Sequence, residues 1–232
     1  MSDRKLSTRS NTQAIDQFID QAAKLPVASQ QQGRILFALD ATASRQPTWD
    51  AACHLHSELF LATESAVGIA IQLCYYRGFR EFKATDWVTR PERLLNAMNR
   101  VQCLGGQTQI GRVLQHAMKE TRAKAVKAVI LIVDCCEEGV DPLCQQAGEL
   151  GMLNTPLFIF QEGNDVQARN AFQQMAKLSG GAWMPFDHRA AAQLKDLLGA
   201  VAVYASGGQR ALDDLARAGS ADVKRLTQQL KR

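Results

Sequence analysis

The chain has 232 residues, room for one domain of moderate size with a small appendage. Hydrophobic residues at 46% and charged residues at 22% fit a soluble folded protein, and Gly 16 with Pro 6 exclude collagen-like or linker-dominated structure. Lys+Arg 27 against Asp+Glu 23 leaves +4; the basic runs (Arg4-Lys5, Lys119–Lys127, Lys231-Arg232) are short and read as solvated helix faces with a slight bias toward acidic partners. Aromatics at 6%, none alternating with Arg or Lys, exclude a surface for stacking single-stranded nucleic acid.

In chain order, "MSDRKLSTRSNTQ" lacks the apolar core and cleavage site of an export signal, and no apolar stretch reaches the roughly 20 residues needed to cross a bilayer. A cytoplasmic protein without a membrane span is the expectation. Ile15, Phe18, Ile19 and Ala22 predict a leading helix, and Ile35–Leu39 a first strand covered on both faces. Trp49, Ala52, Leu55 and Leu59 form a helical stripe after Pro47. Val67–Gly78 reads as a second strand, joined by a tight turn at Arg77-Gly78 to a short edge strand within Phe79–Trp87.

Pro91 opens a helix that buries Leu94, Leu95, Met98 and Val101. "CLGGQTQ" interrupts the pattern before Ile110, Val113, Leu114, Ala117 and Met118 resume it. Val126–Cys136 and Thr155–Gly163 are strands, the latter followed by a helix through Phe172, Met175 and Ala176. "GGAWMPF" is a last short strand, and Leu194, Leu197, Leu198 and Val201 line the next helix. Two short helices follow, with Gly207-Gly208 as a joint and Ser220 as a cap. This order predicts an α/β fold: a three-layer, doubly wound, mostly parallel sheet with a short antiparallel edge strand. The expected organisation is a helical extension over 1–33, the α/β domain over 34–205 and a helical tail over 206–232.

In such sheets the functional crevice lies outside the carboxyl ends of the strands, where strand order reverses. Asp40 and Asp134 both close strands. Asp40, Thr42 and Ser44 alternate along the first loop, so in extended chain they share a side while Ala41 and Ala43 face away. Thr108 follows Gly105-Gly106. These five residues are oxygen donors with no soft ligand among them, which suits Mg²⁺ first, then Mn²⁺ or Ca²⁺. Two carboxylates leave such an ion short of negative charge, which invites an Asp or Glu from a partner. Taken singly the same residues are ordinary caps and loop hydrogen bonders.

"GGQTQIG" lacks the Gly-Lys-Ser/Thr ending of a phosphate loop, and Thr42 stands where an aspartyl phosphotransferase would need a carboxylate two residues after its nucleophile. Cys135 and Cys136 read as small buried hydrophobes before redox thiolates. The six cysteines show no C-x-x-C pair and read as reduced thiols. His54 and His56, two apart on a helix, do not share a face and are no metal pair. Glu137, Glu138 and Asp141 read as a solvated loop, with Glu137 placed to modulate the charge of a bound ion.

The ordered set Asp40-Ala41-Thr42-Ala43-Ser44, "GGQTQIGRVL" and "VILIVDCC" resembles the metal-ion-dependent adhesion site (MIDAS) of von Willebrand factor type A (VWA) domains: D-x-S-x-S, a threonine after a glycine-containing loop, and an aspartate after the central strand. Thr42 takes the place of the middle serine, and Cys135-Cys136 follow the acid where many relatives carry glycine and polar residues. "SGGAWMPF" is also similar to the glycine-preceded last strand, so the resemblance spans roughly Arg34 to Tyr204. It implies that Thr42, Ser44 and Thr108 ligate a Mg²⁺ ion directly or nearly so, with Asp40 and Asp134 binding directly or through water. It further implies a non-enzymatic, metal-dependent adaptor that coordinates an acidic residue of a partner protein and works with a separate AAA+ ATPase. A metal-assisted hydrolase acting on a phosphate or acyl substrate, and a metal-free structural scaffold, are the alternatives.

Overall fold

The structure, a computed structural model, describes residues 33–46, 69–186 and 191–230. The expected helices at Ile15–Ala22 and after Pro47 lie outside the described residues, as do Cys53, His54, His56 and His188.

Six strands form one sheet: β1 (Gly33–Asp40), β2 (Ile69–Arg77), β3 (Glu81–Ala84), β4 (Ala128–Val133), β5 (Leu157–Glu162) and β6 (Ala182–Phe186). Their spatial order is β3-β2-β1-β4-β5-β6, parallel throughout except for β3, which runs antiparallel to β2 at one edge. Helices α1 (Pro91–Met98), α2 (Ile110–Ala123), α3 (Val140–Met152), α4 (Val166–Ser179), α5 (Ala191–Ala218) and α6 (Ala221–Gln229) cover the two faces. The three-layer, mostly parallel architecture expected from the sequence is the one observed.

Every residue of β1 is buried because successive side chains enter different cores. Ile35, Phe37 and Leu39 pack with Leu94 and Met98 of α1, Leu197 and Val201 of α5 and Leu226 of α6. Leu36 and Ala38 face the other way, toward Val113 and Leu114 of α2, Leu143 of α3 and Phe172 of α4. At about 2 kcal/mol for each large aliphatic side chain buried, this double coverage makes β1 a rigid mount for whatever follows its last residue.

One helix was not anticipated. No element is expected from the sequence over α3; Pro142 sits in its first turn, where no intrahelical N–H is required. Gly151 serves a close approach: a Cβ there would stand 2.5 Å from the carbonyl oxygen of Leu178 in α4. Asp141, expected in a loop, lies in the first turn of α3.

At the carboxyl end of the chain, α5 breaks at Gly208 (φ 69°), and Ser220 Oγ accepts from Val223 N at 3.4 Å to cap α6, both as expected. Leu212, Ala216, Val223 and Leu226, all beyond the break, belong to the same core as β1. Gln229 then covers the free edge of β6: its Oε1 accepts from Trp183 N at 3.0 Å and its Nε2 donates to Trp183 O at 2.9 Å. One amide side chain thus supplies the donor and acceptor that another strand would have offered.

Candidate metal centre

Strand order reverses at β1, with β2 on one side and β4 on the other, so the crevice beyond the ends of β1 and β4 is the topological switch point. Leu39 pairs with Ile132, which puts Asp40 and Asp134 at neighbouring strand ends within one residue of level.

Asp40 is fully buried, and both its oxygens are engaged: Oδ1 accepts from Thr42 N at 2.8 Å and Oδ2 from the Tyr76 hydroxyl at 3.0 Å. Burial, against the opposing pull of these hydrogen bonds, pushes its carboxyl up to about 6, and the neighbouring charge of Asp134 adds to the rise. Burial likewise holds the Tyr76 phenol well above its ordinary value, with Asp40 contributing.

Thr42 has extended backbone (φ −75°, ψ 164°), after which Ala43–Arg45 tighten into a 3₁₀ turn. The sequence expectation of simple alternation through Ser44 is corrected there. The turn, rather than an extended strand, brings Ser44 Oγ to 3.0 Å from Thr42 Oγ1. Ala41 is buried and Ala43 exposed, so the two alanines do not share a side.

The second loop is tied to the first. Leu104 N donates to Ala41 O at 3.1 Å and Leu104 bridges Thr42, so the chain approaching Thr108 runs beside the first loop. Gly106 is required for this route: a Cβ there would lie 2.0 Å from the carbonyl oxygen of Gly78. Gln109 adds bonds from Nε2 to the carbonyls of Arg77 and Gly78 at 3.2 and 3.1 Å.

The third loop is tied to the second by residues that sequence reasoning set aside. Thr108 N donates to Glu137 Oε2 at 2.9 Å, and Glu137 N donates back to Thr108 Oγ1 at 3.0 Å. Glu138 accepts from Ile110 N and from Gly111 N, capping α2 from outside because Gln109 at the N-cap offers no side-chain bond. Glu137, exposed in a loop as expected, and the half-buried Glu138 are therefore also clamps between loops, a role not expected from the sequence. The sequence carried no signal for this, since it offered Thr108 as a cap of α2, and only the structure puts Gln109 at the N-cap.

Asp134 differs from Asp40. Its Oδ1 is buried and has no hydrogen-bond partner among the described residues. An orphaned carboxylate oxygen beside a second buried acid costs free energy unless a cation or proton answers it. Two carboxylates and three hydroxyls on three tethered loops fit a hard divalent cation by donor chemistry. Among the described residues no three His, Cys, Asp or Glu side chains gather as a metal cluster, so the hydroxyls are indispensable to any site here.

A basic residue enters the same crevice. Arg45, 1% exposed, ends the 3₁₀ turn and forms an ion pair with Glu162 at the end of β5. Burial pulls its guanidinium below its ordinary value, opposed first by Asp40 and next by Asp134. Cys135 and Cys136 border the site half-buried, and burial pushes both thiols up, away from thiolate chemistry. The five described cysteines are free thiols.

Neither protein-family models nor curated proteins match the sequence. Solved structures do match its fold. A von Willebrand factor type A protein from Catenulispora acidiphila superposes with a TM-score of 0.61 at 17% identity, over 76% of this chain and 43% of that one. The chain has the VWA fold. The SpRpn10 VWA domain gives a TM-score of 0.55 at 12% identity, over 70% of this chain and 95% of that domain. Proximal thread matrix protein 1 from the mussel byssus, in a structure with a zinc-occupied MIDAS motif, gives 0.60 at 16% identity, over 74% of this chain and 45% of that one. The chain thus spans less than half of the Catenulispora and mussel chains and is similar in extent to the SpRpn10 domain. Among the described residues of this VWA fold, no helix is long and apolar enough to cross a membrane.

Proposed function

We propose that this VWA-fold domain is a protein-binding module whose crevice holds a Mg²⁺ ion, with Mn²⁺ or Ca²⁺ as substitutes, and completes that ion's shell with an Asp or Glu of a partner protein. The observation that carries the reading is the buried Oδ1 of Asp134, without a hydrogen-bond partner among the described residues, one strand away from Asp40. Asp134 and Asp40 would hold the ion directly or through water, with Thr42, Ser44 and Thr108 as the neutral donors. When bound, the ion supplies positive charge to an incoming carboxylate, and recognition follows without bond breaking. Asp40 and Asp134 are committed to this role and Glu162 is paired with Arg45, leaving no free general base for hydrolysis among these acids.

The surroundings favour a protein as the ligand. Of the six exposed large apolar side chains among the described residues, Phe79, Leu104, Val140 and Val166 all lie on the loops or helix starts at the carboxyl ends of the strands. Met152 and Leu178 lie at the opposite end. Arg80 and Arg112 stand exposed beside Phe79, with Arg112 Nη1 donating to Arg80 O at 2.6 Å. An acidic side chain flanked by apolar residues suits this rim. A separate AAA+ ATPase as partner, and a cytoplasmic setting, extend the proposal on the strength of the sequence resemblance.

Isothermal titration of Mg²⁺ and Mn²⁺ into chelator-stripped protein tests the site. Saturable binding that Asp134→Asn abolishes, with the melting transition retained, is the expected result, and added glutamate-containing peptide should tighten it. Metal binding untouched by Asp134→Asn would overturn the site. Mg²⁺-dependent turnover across a phosphoester panel would replace the module with an enzyme.

A further inference from the structure

The crevice contains a positive charge that a bare oxygen-donor site has no use for. Arg45 follows Ser44 directly in the chain, yet its side chain is buried and reaches Glu162, which lies at the end of β5. Val133 pairs with Gln161, so Asp134 and Glu162 stand level at the ends of β4 and β5. To pass from the loop after β1 to the end of β5, the side chain of Arg45 must run past the end of β4, where Asp134 sits. Three carboxylates, Asp40, Asp134 and Glu162, thus stand at three neighbouring strand ends, with the buried guanidinium of Arg45 paired to the last of them.

Resting on the metal-site reading above, we propose that Arg45 is a resident counter-charge for Asp40 and Asp134 that lowers the site's affinity for a divalent cation, so that metal and the partner's carboxylate bind cooperatively. Glu162 holds the guanidinium in place and keeps it from leaving for solvent. A cation entering beside Arg45 meets like-charge repulsion in a region of low dielectric, where one charge shifts affinity strongly. A partner's carboxylate brings the negative charge that offsets this repulsion. The isolated chain is then a weak metal binder, and the ion is retained chiefly in the complex.

The test compares Mn²⁺ titrations of wild type, Arg45→Gln and the double variant Arg45→Gln/Glu162→Gln at one pH. Arg45→Gln should bind Mn²⁺ at least tenfold tighter than wild type. The double variant replaces the ion pair by two amides and guards against misfolding from an orphaned Glu162; it should also bind more tightly than wild type, by a smaller factor. Equal affinities in all three would overturn the counter-charge while leaving the metal site standing. No Mn²⁺ binding in any of them would overturn the metal site itself. A metal-free readout accompanies the titrations. In chelator, Arg45→Gln should lower the melting temperature by less than half as much in an Asp134→Asn background as in wild type, because Asp134 no longer needs answering. Additive melting shifts would overturn the pairing of Arg45 with Asp134.

Discussion

A buried arginine lies near the start of β1 and another in the turn beyond its end, and the two are held differently. Arg34, near the amino end, pairs with Glu120 at 2.8 Å and stacks over the Trp87 ring at 3.7 Å, while Trp87 Nε1 donates to the same Glu120 carboxylate at 2.8 Å. One cation meets one anion, and the carbonyls of Glu120 and Lys124 take up further guanidinium donors. Beyond the carboxyl end, Arg45 shares its crevice with Asp40, Asp134 and Glu162. The first arrangement is closed and neutral, as structural ion pairs are. The second holds an excess of buried negative charge that folding alone gives no reason to keep.

The largest effect should come from breaking the balanced end. Arg34→Ala leaves Glu120 and Trp87 without their cation and should cost about 3 kcal/mol of stability, read by urea denaturation. Mn²⁺ affinity should not change. A shift in metal binding on this substitution would mean that the two ends of β1 are coupled through the strand.

Asp40→Asn should act in the opposite direction. The folded chain holds a proton on Asp40 up to about pH 6, whereas an unfolded carboxyl lets go near 3.8. Between those values the folded state binds more protons, so stability of the metal-free protein falls as pH rises through about 4 to 6 and stays lowered above. Asn carries no charge to bury and can still accept from Thr42 N. The variant should therefore be more stable than wild type at pH 7.5 in chelator, by up to about 3 kcal/mol for a shift of this size, and nearly equal to it at pH 4. Thermal melts at the two pH values with chelator present read the difference directly. Equal stability at both values would show that Asp40 is already compensated, and with it that the crevice is as balanced as the amino end.

How much of this contrast was legible in the sequence depends on the distance over which each feature is encoded. The fold was legible because apolar runs such as "ILFAL" and "AVILIV" record burial on both faces locally. Asp40, Thr42, Ser44, Thr108 and Asp134 stood out because each sits at a strand end or after a glycine turn. Arg45 did not, since a basic residue in a polar loop is normally solvated, and its partner Glu162 lies far along the chain at the end of β5. Glu137 and Glu138 were missed for the same reason: their partners are backbone N–H groups at the start of α2, which no residue type announces. Trp87 and Glu120 likewise reveal themselves as partners of Arg34 only once the segment after β3 and helix α2 come together beside β1.

The smallest stability effect sharpens the comparison most. Ser44 is exposed and, among the described residues, its hydroxyl makes a hydrogen bond with Thr42 Oγ1 at 3.0 Å. Removing an exposed hydroxyl should change stability by less than about 0.5 kcal/mol, far below what the balanced pair at the amino end tolerates. If the hydroxyl is a cation ligand, Ser44→Ala should nonetheless weaken Mn²⁺ binding several-fold, an effect on affinity with no counterpart in the melting curve. The same substitution in the Arg45→Gln background, where the ion is held more tightly, makes that loss easier to measure. A residue that matters to the ion and not to the fold is what separates a site from a structural ion pair. Unchanged affinity in both backgrounds would remove Ser44 from the ligand set and leave the 3₁₀ turn with a single task, carrying Arg45 into the crevice.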